Sequence, residues 1–73
     1  MTSAQIRAAR GLLDWTIRDL AERPGVHRDM VSKIETGAYA GAPATLEAIR
    51  RTLEYAGVEF TNGNAPGVRL RKR

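Results

Sequence analysis

Cysteine is absent from this 73-residue chain. That excludes disulfides, thiolate metal sites and a cysteine nucleophile. Histidine occurs once, at His27, too few for a histidine-cornered metal site, and no carboxylate–nucleophile pattern surrounds it. Neither an enzyme activity nor a cofactor is therefore expected. No apolar run approaches the about 20 residues of a membrane span. Residues 1–5 lack a basic flank ahead of an apolar stretch, so no signal peptide is expected either. Without disulfides a cytoplasmic address fits. Internal repeats and low-complexity segments are also missing. The length is that of one small domain, which buries roughly 60% of the surface its unfolded chain exposes, and it leaves no room for a separate ligand-sensing domain.

Twelve Lys/Arg stand against eight Asp/Glu, for a net charge of +4. Residues 66–73 hold four of the basic residues and no acid, so residues 1–65 are formally neutral. The excess charge favours a nucleic-acid partner, but all of it sits in the tail, where a short basic run is also an ordinary solvated terminus.

Four short helices are legible. Thr2 and Gln5 have the spacing of a capping box, and Ile6, Ala9 and Leu13 recur on one helical face. Asp14-Trp15-Thr16 breaks that pattern, with Thr16 as the next N-cap and Asp19 in the first turn. Trp15 is expected in the core. Arg23-Pro24-Gly25 stops the second helix. A third helix is expected over about 28–36, capped by His27, with Val31 and Ile34 inward and Gly37 as its stop. Residues 38–43 read as a loop, and Ala44 or Thr45 opens a fourth helix with Leu46, Ile49, Leu53 and Ala56 inward. After Gly57 the period changes to two: Val58-Glu59-Phe60 and Val68-Arg69-Leu70-Arg71 alternate like strands, around a turn-rich 61–67.

Thr16 to Thr36 has the form of two short helices joined by a tight glycine turn, with the second helix presenting an outward face. That face carries Arg28, Asp29, Ser32 and Lys33. Arg and Lys donate to guanine, Asp accepts from cytosine, and Ser serves either way. The segments Ile6-Arg7-Ala8-Ala9-Arg10, Leu20-Ala21, Gly25-Val26 and Val31-Ser32-Lys33-Ile34-Glu35-Thr36-Gly37 carry a likeness, continued by Ala44–Arg50 and Leu53–Phe60. In this order they resemble the Cro/C1-type (XRE) helix-turn-helix regulators, over residues 2–60.

The resemblance implies an all-α, four-helix, lambda-repressor-like domain over 1–57, followed by a basic β extension over 58–73. It implies binding of double-stranded DNA by a small transcriptional regulator, with residues 28–36 as recognition helix. Arg28, Asp29, Ser32 and Lys33 are then the expected base contacts. Phosphate contacts are expected from Thr16, the Ile17 backbone, His27, Thr36 and Tyr39. Arg10 and Glu35 match an ion pair that ties the first helix to the third. The sequence departs from the family pattern where Ile17 replaces a common Gln, where His27 replaces a Ser or Thr cap, and where strand-like sequence follows Gly57. Val58, Phe60, Val68 and Leu70 are expected to make a homodimer by pairing with a second chain, because an isolated hairpin is marginal in water. The dimer would read a palindromic operator. The rival expectation is a protein-interaction module on the same fold, such as an anti-activator or antitoxin, and the neutral body argues for it. No membrane and no small-molecule substrate are expected as partners.

Overall fold

Local capping begins each of the first three helices in the structure, a computed structural model that describes residues 1–61 and 65–71. The Thr2 hydroxyl accepts the Gln5 N–H at 3.1 Å while the Gln5 side chain accepts the Thr2 N–H at 2.7 Å, and this capping box starts α1 (Ser3–Leu12). Asp14 then adopts a left-handed backbone, φ 56°. The Asp14 and Trp15 N–H groups turn back to the Gly11 and Arg10 carbonyls at 3.1 and 3.0 Å, which ends α1. Thr16 and Asp19 repeat the reciprocal cap at α2 (Ile17–Glu22). Pro24 and Gly25, the latter at φ 74°, reverse the chain. His27 caps α3 (Arg28–Thr36), its Nδ1 accepting the Asp29 N–H at 3.1 Å.

The fourth helix, α4 (Pro43–Tyr55), starts ahead of the expected Ala44 or Thr45. Proline suits the first helical position, since its φ is already helical and its missing N–H has no partner to lose there. Ile6, Ala9, Leu20, Ala21, Val31, Ile34, Ile49 and Leu53 close one core among the four helices. Trp15, expected inside, is only half-buried. One side of its ring packs against the core, and the Arg23 guanidinium lies over the ring, 3.9 Å from its centre.

The C-terminal strands, β1 (Val58–Thr61) and β2 (Gly67–Leu70), form a hairpin within the chain. They pair with each other, antiparallel, with Val58 opposite Leu70 and Thr61 opposite Gly67. The connection is therefore the five residues 62–66, shorter than the turn-rich span 61–67 read from the sequence, and residues 62–64 of it lie outside the described residues. The hairpin holds because it is not isolated. Val58 is 1% exposed and belongs to the helical core, so its side chain is not available to a partner. Phe60 and Val68 pack on that core from its edge. Gln5, already part of the α1 cap, donates its amide to the Thr61 and Gly67 carbonyls at 3.0 and 3.1 Å. The Arg71 N–H donates to the Gly57 carbonyl at 2.8 Å. The result is an all-α domain carrying a short β hairpin, four helices and two strands.

Candidate nucleic-acid interface

The outward face of α3 is built by its inward one. Val31, Ile34 and Glu35 are buried, which turns Arg28, Asp29 and Lys33 to solvent with Ser32 half-buried between them. At about 100° per residue these four positions span an arc of about 140°. Arg28 and Lys33 make no ion pair within the chain among the described residues. Their cationic groups therefore stand open to an acceptor. Asp29 leans the other way, its carboxylate 3.7 Å from the His27 ring. The Nδ1 nitrogen of that ring accepts the Asp29 N–H in the cap.

The C-terminal half of α3 is held from behind by α1. The Arg10 guanidinium grips the Glu35 carboxylate with two hydrogen bonds, Nε–Oε2 at 3.0 Å and Nη2–Oε1 at 3.1 Å, and its third donor reaches the Trp15 carbonyl at 3.0 Å. The Glu35 side chain is 3% exposed and that of Arg10 25%. The Ser3 hydroxyl donates to the Ile34 carbonyl at 2.7 Å, and the Arg7 guanidinium to the Glu35 carbonyl. The Arg7 bond satisfies a carbonyl of the last helical turn, and the Ser3 bond adds a second donor to the Ile34 carbonyl, which also accepts the Gly37 N–H at 3.2 Å. Ser3 and Arg7 carry no sequence signal for this role, because each acts across about thirty residues of chain.

The expected phosphate ligands fall into two groups. Thr16, Ile17 and Asp19 form the α2 N-terminus. The Thr16 N–H is already spent on the Asp19 carboxylate at 2.9 Å, while the Ile17 N–H is one of the first-turn donors without an intrahelical acceptor. Hydrogen bonding to Thr16 holds the Asp19 carboxyl below the usual aspartate range. The Thr36 hydroxyl donates to the Lys33 carbonyl of its own helix at 3.2 Å. His27 and Tyr39 line one shallow groove with Asp29 and Lys33, so the structure brings both beside the α3 face. Arg18 was not singled out from the sequence. It shares a neighbouring concavity with His27 and Arg28, adding a cation where α2 meets α3. The signal was present: Arg18 stands two residues ahead of the inward pair Leu20-Ala21, on the outward side of a helix-turn-helix.

The two tail cations among the described residues, Arg69 and Arg71, are engaged within the chain. Arg69 pairs with Glu59 at 2.6 Å, directly across the hairpin, and Arg71 donates to the Glu54 carbonyl at the end of α4 at 2.9 Å.

A helix–turn–helix with a capped, braced and cation-bearing second helix is the geometry that enters a major groove. No curated protein matches the sequence. A family model described as helix-turn-helix matches residues 6–60, from within α1 through α4 and into β1. The chain therefore belongs to the Cro/C1-type helix-turn-helix family of DNA-binding regulators.

Proposed function

We propose that this protein is a sequence-specific regulator that reads a palindromic operator as a homodimer, with α3 in the major groove of each half-site. The observation that carries this reading is the α3 face: Arg28 and Lys33 without intrachain ion-pair partners among the described residues, on a helix fixed at its far end by Ser3, Arg7 and Arg10. Braced donors lose little freedom on binding, and base-edge contacts need that placement. Arg28, Asp29, Ser32 and Lys33 supply sequence preference. Arg18, His27, Tyr39 and the α2 N-terminus supply the salt-dependent phosphate contacts.

The test is selection of bound sequences from a random duplex pool, followed by binding of the selected site. Arg28→Ala or Lys33→Ala should each cost about 1–3 kcal/mol and relax preference at one base pair. Selection of no consensus, or two variants that bind the selected site as tightly as the parent, overturns the reading.

A further inference from the structure

Away from α3, the C-terminal half of α4 and the α1–α2 connection enclose a groove of about 780 Å³. Leu13, Trp15, Tyr55 and Ala56 form its apolar lining, and Arg23 and Arg51 its charged rim. Tyr55 is 94% exposed, an aromatic ring that nothing among the described residues covers. Arg51 carries no ion pair among the described residues, whereas its neighbour Arg50 is held between Glu47 and Glu54. None of the residues lining the groove is acidic, and none belongs to α3. Trp, Tyr and Arg around an apolar floor are the residue types that dominate protein-binding hot spots.

We propose that this groove docks an acidic segment of another protein, which seats one aromatic or branched aliphatic side chain against Leu13, Ala56 and the Tyr55 ring while its carboxylates meet Arg51 and the edge of the Arg23 guanidinium that lies over Trp15. Charge decides between occupants. A second copy seated here about a two-fold axis would set the same cations against each other, and like charges brought together at an interface are costly. An acidic segment gains both the apolar anchor and two charge-assisted contacts.

Trp15 is the only tryptophan in the sequence, so its fluorescence reports on the groove. The probe is a short synthetic peptide with a central Phe flanked by Asp and Glu. Two control peptides replace its acids by Lys or its Phe by Ser. The acidic Phe peptide should shift Trp15 emission saturably, with both controls weaker by about tenfold or more, the size of one lost anchoring contact. Arg51→Glu and Tyr55→Ala, both at exposed positions, should weaken the peptide by a similar factor and leave binding of the selected duplex unchanged. A chain that binds the peptide but no duplex would keep this proposal and sink the reading of α3. Equal response to the Lys peptide would overturn the proposal. So would an Arg51→Glu variant that loses duplex affinity but not the peptide, since the surface then faces DNA backbone. Self-association of the parent that Tyr55→Ala abolishes would also overturn it and make a second copy the occupant.

Discussion

Glu35 is the residue on which the orientation of α3 turns. Its carboxylate is buried and has both oxygens on Arg10, so removing Arg10 alone leaves a buried charge without its partner. Arg10→Met should cost about 3–5 kcal/mol, and Arg10→Met combined with Glu35→Leu should cost less than Arg10→Met alone. Thermal melts of the two singles and the double measure that coupling, and additive losses would exclude it. Asp19 acts at the same scale through pH. Its carboxyl is held below the usual aspartate value of 3.8, first by the Thr16 N–H, so the folded chain takes up this proton less readily than the unfolded chain. The ionised cap therefore stabilises above the unfolded value, and the gain is lost as pH falls through the lower folded value. Asp19→Asn keeps an acceptor but not the charge. The melting-temperature gap between parent and variant should be open at about pH 5 and closed at about pH 2; a gap that does not narrow would remove the charge from the cap.

At the scale of elements, the hairpin is a working part of the helical domain. Gln5 is buried and joins three segments at once: its oxygen closes the α1 cap, and its amide nitrogen bridges β1 and β2. Gln5→Leu preserves bulk and strips both strand carbonyls of their donor, which should cost about 1–3 kcal/mol. Hydrogen exchange should locate the loss in the hairpin amides and at the start of α1. Protection that falls evenly through all four helices would argue against a local latch. Much of the helical order is legible in the sequence because its signals are local. Thr2 with Gln5, Thr16 with Asp19, the Pro24-Gly25 turn, His27 and Gly37 each act within a few residues of chain. The start of α4 was misplaced because Pro43 reads as a breaker until its position at a helix start is known.

For the whole molecule, size bears on stoichiometry. The domain extends 30 × 26 × 19 Å, while half-sites one DNA turn apart are about 34–36 Å between centres. One chain thus has the reach of one half-site, and the proposed homodimer would engage a palindrome with two. Val58 is withdrawn into its own core, so the hairpin face left for a second chain is Leu70, 43% exposed, with the outer edges of a two-stranded sheet. Leu70→Asp should yield a monomer in sedimentation and lower affinity for the full palindrome far more than for a half-site. A variant that still sediments as a dimer would move the interface to the helices.

The sequence by itself determined the helix order, the caps, the glycine turn and the outward α3 face, since each depends on residue type and short spacing along the chain. It also determined that Arg10 and Glu35 should meet, through the order of motifs they share with the family. Only the tertiary structure decided that β1 and β2 pair within one chain, that Trp15 stays half-exposed beneath Arg23, and that the Arg69 and Arg71 cations are taken up by Glu59 and the end of α4. The Gln5 contacts that dock the hairpin cross 56 and 62 residues of sequence. A marginal hairpin becomes stable once Val58 shares the helical core and a buried amide satisfies carbonyls at its loop end, and no periodicity within residues 58–71 carries that information.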